Sequence, residues 1–320
     1  MNMSLAIIIP AYKPDFLAQA LESIASQTNK NFSLYIGDDC SPYDLFSIVS
    51  KYADRINLSY TRFDVNIGGQ NLVAQWERCI ALSKNEEYIW LFSDDDVMEP
   101  DCVQCFYDTL RQTSKKYDIY HFDINVINCD GETVKSLKTY PDTIDYYTFI
   151  KCRWRGVYHN TVVENIFSRD IYEKRGGFQN FDLAWGTDCA TWVKFMSNSG
   201  MKTIKGAKIY WRTSDLNISP NTSEAVSIRK TKALLDCLIW TNKFCQERGK
   251  DCRKVNKFLF VKRMKVFICY IPYDQFIQCL TGFVESHRLS ICSKLSIWVV
   301  VMFCGLKYSI KESVKDIFRT

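Results

Sequence analysis

The sequence predicts an α/β protein with a mostly parallel, Rossmann-like sheet, covered by helices on both faces and followed by a helical C-terminal extension. Strand-like and helix-like segments alternate over the first 125 residues, which is typical of βαβ units. Two strands end in carboxylates, at Asp38-Asp39 and at Asp94-Asp95-Asp96. After residue 222 the sequence becomes helical, basic and aromatic. These three observations define the predicted fold class.

The first half of the chain contains four apolar runs, each followed by a helical pattern. The first run is almost pure isoleucine, and the segment after it carries apolar residues at helical spacing. Ser41 and Pro42 supply a cap and a first-turn proline for the second helix, and Glu99-Pro100-Asp101 opens the fourth. The predicted strands are Leu5–Pro10, Phe32–Gly37, Leu58–Phe63 and Tyr88–Phe92, and the predicted helices cover residues 15–27, 41–52, 70–84 and 99–111.

The pattern loosens beyond about Asp130. We expect strands at Ile166–Ser168 and Thr203–Tyr210, with a helix over Asp188–Met196 between them. A domain boundary is expected near residue 222, where the texture of the sequence changes. The first domain then has two halves, residues 1–125 and 126–222, and the C-terminal region covers residues 223–320.

Composition narrows the class of protein. With 320 residues, 47% of them apolar and 24% charged, the chain is expected to be globular. A net charge of +5, without basic runs in the first 150 residues, does not predict a nucleic-acid partner. Fourteen scattered cysteines and a start that leads directly into a strand indicate reduced thiols and a cytoplasmic protein.

The acidic triplet Asp94-Asp95-Asp96 follows a strand directly. Adjacent carboxylates repel one another, so the cluster is costly unless a cation or hydrogen bonds stabilise it. The carboxyl ends of strands in open α/β sheets are where ligands bind, and hard oxygen ligands there suit Mg²⁺ or Mn²⁺. A solvated acidic turn is the alternative for an isolated triplet.

The C-terminal region allows two interpretations. Its apolar segment, residues 295–306, is too short to span a bilayer, and it is expected either to lie on a membrane surface or to pack as a buried helix. Basic and aromatic side chains also mix over residues 257–267, which suits an anionic membrane surface as well as ordinary helix packing with extended lysines.

Several motifs resemble family 2 glycosyltransferases of the GT-A fold, in the order in which that family has them. The resemblance covers roughly residues 4–215. It rests on the acidic triplet together with residues 7–12, 21–28, 38–41, 66–69, 165–170, 176–178 and 186–188.

The resemblance implies a role for individual residues. The nucleotide would contact Pro10, Ala11, Tyr12, Asp39, Asn66, Gly69 and Asp94, with Asp39 bonding the base and Asp94 the ribose or diphosphate. Asp95 and Asp96 would form the metal-proximal part of a DXD motif. Asp188 would be the general base, and Arg212 and Trp185 would contact the acceptor or the diphosphate.

The sequence departs from the family pattern at two positions. Thr187 stands where many members have a glutamate, and Ser214 stands where some have a histidine that binds metal. Two residue roles also have structural alternatives. Asp188 suits a helix N-cap, and the segment 66–69 suits a simple turn.

The function that the resemblance implies is an inverting, metal-dependent glycosyltransferase. It would move a sugar from a nucleoside-diphosphate sugar, UDP-linked by preference, to a glycan or lipid-linked acceptor in cell-surface polysaccharide synthesis. One rival is a haloacid-dehalogenase-type phosphatase, because Asp94-Asp95-Asp96-Val97 also satisfies the Asp-x-Asp-x-Val signature with Asp94 as nucleophile. The other rival is a non-catalytic protein that binds nucleotide sugars.

Overall fold

A computed structural model describes residues 4–196, 199–214, 221–292, 294–295, 297–299 and 303. The chain forms two compact units. The first consists of Met1–Asn180 and Thr187–Leu216, and the second of Phe181–Gly186 and Asn217–Thr320. The short segment Phe181–Gly186 therefore belongs to the second unit, although the chain on both sides of it belongs to the first. The functional division at residue 222 stays a prediction.

The described part of the first unit contains ten strands in one mixed sheet. They are β1 (Leu5–Ala11), β2 (Ser33–Asp38), β3 (Leu58–Arg62), β4 (Tyr88–Leu91), β5 (Val97–Met98), β6 (Ile119–Ile127), β7 (Thr133–Ser136), β8 (Thr143–Ile144), β9 (Asn165–Ser168) and β10 (Met201–Arg212). Their order is β3-β2-β1-β4-β9-β6-β10-β5, with β7 beside β6 and β8 beside β10. The pairs among β1 to β4 are parallel, and β9 is antiparallel to both of its neighbours.

Helices flank this sheet in the first unit, and three more form most of the described second unit. Those of the first unit are α1 (Leu17–Ala25), α2 (Phe46–Val49), α3 (Leu72–Ile80), α4 (Cys102–Gln112), α5 (Tyr146–Arg155), α6 (Arg169–Lys174) and α7 (Thr187–Phe195). Those of the second are α8 (Glu224–Gln246), α9 (Arg253–Phe267) and α10 (Tyr273–Ser286). Short 3₁₀ turns occur at Ser50–Tyr52 and Asp182–Ala184.

The centre of the sheet explains why the acidic segments meet. All residues of β1 except Pro10 are buried, which is expected of a parallel strand with helices on both of its faces. In the parallel register Ala11 is opposite Asp38, and Ile8 is opposite Leu91. The chain therefore leaves β1, β2 and β4 at the same edge, and the segments after all three strands emerge together.

The second unit is described by its own contacts. The rings of Phe260 on α9 and Phe283 on α10 stack with their centroids 4.1 Å apart. The side chains of Asn256 and His287 lie 3.2 Å apart, and burial lowers the pKa of His287 to about 4. No helix among the described residues is both long and apolar enough to cross a membrane.

The structure confirms the predicted α/β fold class and corrects two expectations. Residues 41–45 are not helical, and α2 begins only at Phe46, because Ser41 closes a turn toward Tyr12 and Tyr43 instead of capping a helix. The expectation of free thiols alone is also wrong, since Cys245 and Cys252 form a disulfide where α8 ends and α9 begins. The apolar segment predicted at residues 295–306 lies outside the described residues except for 295, 297–299 and 303.

Candidate functional site

The loop after β1 forms the first wall of the candidate site. Pro10 and Ala11 are the last residues of the strand, and the side chain of Tyr12 is 39% exposed. The carbonyl of Ala11 accepts a bond of 3.0 Å from the amide of Asp39, and that of Tyr12 accepts one of 2.7 Å from the Ser41 hydroxyl. The loops after β1 and β2 are thus joined, and Tyr12 presents an exposed ring beside them.

Asp39 is held by the protein itself. Its carboxylate accepts bonds from the amides of Ile67 (2.9 Å) and Gly68 (2.8 Å) and from the Asn66 side chain (3.0 Å), and it forms an ion pair with Arg78. A Cβ atom at Gly68 would come within 2.5 Å of the Asp39 carboxylate, so a glycine is needed for this approach.

These contacts bear on the roles expected of the segment 66–69. Asn66 binds Asp39, and the Gly69 amide donates to Asn66 Oδ1 over 3.3 Å, so the segment is a turn built around Asp39. A bond from Asp39 to a nucleotide base would have to share oxygens that already accept protein N–H groups. The nucleotide contacts of Asp39, Asn66 and Gly69 stay predictions.

Asp94 links the loop after β4 to the loop after β1. One of its carboxylate oxygens, Oδ2, accepts bonds from the amides of Tyr12 (2.9 Å) and Lys13 (3.1 Å). Burial, and then the charge of Asp95, raise the pKa of Asp94 to about 6 despite these two bonds. Asp94 thus lies against the loop that contains Tyr12. Its predicted contact with the ribose or diphosphate stays a prediction.

Asp95 and Asp96 are anchored by Arg212 at the end of β10. The Arg212 amide donates to Asp96 Oδ1 over 2.6 Å, and the guanidinium Nε donates to the carbonyl of Asp95 over 2.8 Å. The Asp95 carboxylate accepts a short bond from the Ser93 hydroxyl. Burial, and then the charge of Asp95, raise the pKa of Asp96 well above its usual range. Proton loss from Asp96 is therefore costly unless a cation compensates.

Arg212 itself is fully buried. Its guanidinium also donates to the carbonyls of Asn128 (2.7 Å) and Cys129 (3.1 Å) and to the Gln19 side chain (2.7 Å), and it stacks on Phe16. An open cavity of about 470 Å³ adjoins it, lined chiefly by α1, β5 and the end of β10. In this structure Arg212 positions the acidic triplet, and its predicted contact with the acceptor or diphosphate would require this network to open.

Asp188 interacts with the partly buried Arg153 and with the buried Glu164, and the sequence did not single out Glu164. Asp188 lies in the first turn of α7, inside the helix and not at the position before it. Burial raises the pKa of Asp188, and the nearby Arg153 of α5 opposes that rise. Burial also raises the pKa of Glu164 to about 7, with a further contribution from Asp188. The charge of Glu164 in turn contributes to the raised pKa of Asp96. Glu164 is therefore close enough to both Asp96 and Asp188 for their charges to interact.

Glu164 and Arg153 could have been found from the sequence only in part. The Glu164 carboxylate accepts the amide of Thr161 over 2.6 Å, a local turn that residue spacing alone does not reveal. Arg153 lies among Lys151, Trp154 and Arg155, which suit either an anion-binding surface or a solvated face. In the structure α5 exposes Arg155 and directs Arg153 inward, toward Asp188 and Cys189.

The segment before Asp188 has an unusual backbone. Leu183 (φ 56°) and Ala184 (φ 53°) both occupy the left-handed region, where each costs about 1–2 kcal/mol. Trp185 follows, and its ring lies 4.8 Å from Lys230 Nζ and 6.0 Å from the Arg263 guanidinium carbon, all within the second unit. The predicted contact between Trp185 and an acceptor or diphosphate stays a prediction.

The motif Gly176-Gly177-Phe178 closes on a carboxylate of α3. Glu77 accepts a bond of 2.6 Å from the Phe178 amide and a short one from the Tyr172 hydroxyl. A Cβ atom at Gly177 would lie 2.5 Å from the Glu77 carboxylate, whereas one at Gly176 would meet nothing within 4 Å. This motif fixes the part of the chain around residues 172–178 against α3, which follows β3.

The acidic triplet is the predicted site of a divalent cation. Within the described residues, no group of three or more His, Cys, Asp or Glu side chains is arranged to hold a metal ion. Mg²⁺ is nevertheless usually held by one or two carboxylates together with substrate phosphates. Asp94 and Asp96 have carboxylates whose negative charge burial disfavours, and such groups suit a cation that arrives with a diphosphate. The metal site predicted at Asp95 and Asp96 fits these donors and stays a prediction.

The chain is similar in sequence to a known protein family and to individual known proteins. The sequence model of a family described as "Glycosyl transferase family 2" matches residues 6–176. TarS of Staphylococcus aureus, a poly(ribitol-phosphate) beta-N-acetylglucosaminyltransferase, is 29% identical over 133 residues, which are 40% of this chain and 21% of TarS. Protein CgeD of Bacillus subtilis is 23% identical over 188 residues, which are 57% of this chain and 43% of CgeD. The chain therefore matches less than half the length of these curated relatives.

Solved structures support the fold. TarS residues 1–349 in complex with UDP-GlcNAc superpose with a TM-score of 0.56 at 13% identity, covering 92% of this chain and 91% of that one. GalNAc-T7 with UDP, GalNAc and Mn²⁺ gives a TM-score of 0.54 at 11% identity, covering 89% of this chain and 58% of that one. At such identities the likeness shows the GT-A fold alone.

Proposed function

This chain belongs to glycosyl transferase family 2, and from that premise we propose that it transfers a sugar from a nucleoside-diphosphate sugar to a hydroxyl group, with inversion at the anomeric carbon. The observation that supports this most directly is the series Asp96, Glu164 and Asp188. Asp96 and Glu164 are buried and Asp188 is partly buried, and the three come from distant parts of the sequence. The charge of Glu164 acts on Asp96, and that of Asp188 acts on Glu164. The same edge of the sheet holds Asp94 and the exposed Tyr12.

Asp188 is proposed as the general base. A hydroxyl that attacks the anomeric carbon must lose its proton, and a positioned carboxylate that accepts it contributes roughly 10²–10⁴-fold to the rate. Burial raises the pKa of Asp188, which makes it a stronger base than a solvated aspartate, while Arg153 keeps its charged form accessible. Thr187, which replaces the family glutamate, is fully buried and leaves Asp188 as the acidic residue of the first turn.

Asp95 and Asp96 are proposed to hold Mn²⁺ or Mg²⁺ together with the donor diphosphate, and Asp94 is proposed to contact the ribose or the diphosphate of the donor. A bound cation would neutralise the charge that develops on the departing nucleoside diphosphate. The chain's own contribution is to hold the triplet in place, through Arg212 at Asp95 and Asp96 and through the loop amides of Tyr12 and Lys13 at Asp94.

A UDP-sugar is the proposed donor, and a glycan or a lipid-linked glycan of the cell surface is the proposed acceptor. The TarS structure reported above is a complex with UDP-GlcNAc, the GalNAc-T7 structure contains UDP, and TarS is named for a poly(ribitol-phosphate) acceptor. Tyr12 presents an exposed aromatic ring at this edge, which suits stacking on a nucleobase. UDP-GlcNAc is therefore the first donor to test.

The phosphatase alternative is no longer favoured. The region that matches family 2 includes β4, the strand that precedes Asp94. β4 is the fourth strand along the chain, whereas phosphatases of that type usually carry the signature after their first strand. A non-catalytic protein that binds nucleotide sugars remains a distinct outcome of experiment, because it would bind UDP without turnover.

The test is hydrolysis of sugar nucleotides by the whole chain, with and without Mn²⁺. In a panel of UDP-, GDP- and dTDP-linked sugars, one UDP-sugar should be hydrolysed slowly. This hydrolysis should require the metal and should be abolished by EDTA. Addition of candidate glycan acceptors should accelerate it. Release of phosphate with a phospho-aspartate at Asp94 would contradict the proposal, and so would UDP binding without turnover of any donor.

A further inference from the structure

The described residues between 291 and 303 present an apolar surface to solvent, which the proposed glycosyl transfer does not use. The described residues of this run are helical, and four of them recur on one helical face: Ile291, Leu295, Trp298 and Val299. Ile291 is 75% exposed and Leu295 60%, whereas Ile297 on the opposite side is buried. Phe303 further along is 67% exposed. The helix thus turns large apolar side chains outward, the reverse of an ordinary surface helix.

A basic helix begins close to this run. α9 contains six lysines and arginines and no acidic residue. Lys254, Phe258, Lys262 and Lys265 follow one another at spacings of three and four, and all four are exposed. His287, four residues before Ile291, contacts Asn256 in the first half of α9. The apolar run therefore starts beside the basic helix.

We propose that the second unit docks on an anionic lipid surface through these two features. The exposed apolar side chains of residues 291, 295, 298, 299 and 303 would enter the headgroup region, and the lysines of α9 would meet the lipid phosphates. Apolar burial combined with attraction to anionic lipid is the usual basis of interfacial helix binding. Lys294, between Ile291 and Leu295, adds a further cation beside the apolar side chains.

The chemistry of the surface favours a bilayer over a second copy of this chain. A self-associating face would bring the six basic residues of α9 near those of its partner, and α9 offers no acidic side chain to compensate. An anionic bilayer supplies the opposite charge and also accepts Phe258 and Trp298, since aromatic side chains are favoured at membrane interfaces.

The experiment is sedimentation of the whole chain with vesicles. Phosphatidylcholine vesicles are compared with vesicles that also contain phosphatidylglycerol, at low salt and at 0.5 M salt, where the Debye length is about 4 Å, roughly half its physiological value. Binding is expected to the anionic vesicles and to weaken at high salt. The double variant Lys262→Gln/Lys265→Gln should bind about 20–30-fold more weakly, since each basic residue near the surface contributes about fivefold.

Two variants complete the design. Lys232→Gln/Lys243→Gln removes two exposed lysines of α8 and should bind as the native chain does. Leu295→Glu/Val299→Glu replaces two exposed side chains, so it should keep the native unfolding temperature and lose vesicle binding.

Three results would overturn the proposal. They are absence of binding to anionic vesicles, equal loss in the α8 and α9 lysine variants, and self-association in solution that Leu295→Glu/Val299→Glu abolishes. The sugar-nucleotide hydrolysis described above is measured without vesicles, so failure of docking and failure of the glycosyl-transfer proposal remain distinguishable.

Discussion

The carboxylates after β2 and those near Asp188 are held in opposite ways. Asp38 and Asp39 are both buried, and each forms an ion pair with an arginine and accepts at least one backbone N–H bond. Asp96 and Glu164 are equally buried, but the described residues supply neither with an ion pair, and the pKa of each is raised. Arginines neutralise the charges of Asp38 and Asp39. Asp96 and Glu164 also accept backbone N–H bonds, but within the described residues no ion pair neutralises their charge, so protonation or a bound cation must do so. The comparison shows which buried carboxylates the protein neutralises by itself and which ones depend on a proton or a ligand.

The largest expected effect is on turnover of the donor and concerns Asp188. Asp188→Asn removes the proposed base at almost no change in shape, so turnover of the donor should fall roughly 10²–10⁴-fold. UDP affinity, measured by calorimetry, should stay close to that of the native chain. Asp170→Asn, at an exposed position of α6, is the matched control. Unchanged turnover in Asp188→Asn would place the base elsewhere.

For Asp39, whose charge Arg78 neutralises, the expected effect is on the free energy of unfolding. Arg78→Met leaves the Asp39 carboxylate buried without its cation, and the free energy of unfolding should fall by about 2–3 kcal/mol. Arg55→Met breaks the exposed pair with Glu22 and should cost less than about 1 kcal/mol. Urea denaturation compares the two variants. Equal losses would mean that the Asp39 pair is not a buried one.

Glu164 should make the stability of the native chain depend on pH. Its folded pKa of about 7 lies above the ordinary value of 4.5, so the folded state binds the proton more tightly. The resulting penalty is absent at low pH, grows as pH rises through this range and is complete above about pH 7, where it amounts to roughly 3 kcal/mol.

Glu164→Gln removes that proton-linked penalty. Without metal, the variant should gain stability over the native chain as pH rises from 5 to 8, by up to roughly 3 kcal/mol. Glu173→Gln, at an exposed position, should follow the native curve. Parallel curves for Glu164→Gln and the native chain would show that Glu164 is not buried as described.

The smallest effect concerns the turn that joins the two halves of the first unit. Gly176 and Gly177 both have positive φ, so alanine at either position costs about 1–2 kcal/mol. Only Gly177→Ala also collides with Glu77, and it should cost about 1–2 kcal/mol more than Gly176→Ala. Thermal unfolding of the two variants measures that difference. No difference would mean that Glu77 moves aside freely.

The sequence predicted the region around Asp38 and Asp39 better than the region around Glu164 and Asp188. Periodicity located β1 to β4 within two residues, because parallel strands buried on both faces are continuous apolar runs. It missed β6 and α5, and with α5 the inward direction of Arg153. The family resemblance supplied Asp188 and the acidic triplet, but it gave no reason to choose Glu164. That residue matters through burial between two other carboxyl groups, which depends on tertiary packing and not on any local pattern.

The measurement that tests the account most directly is UDP binding with and without Mn²⁺. In Asp95→Asn/Asp96→Asn both side chains keep their size and lose their charge, so the fold should persist while the proposed cation site is lost. Mn²⁺ should strengthen UDP binding by the native chain about tenfold or more, and it should have no effect on the double variant. An equal strengthening in both proteins, or none in either, would contradict the claim that these carboxylates serve one nucleotide site.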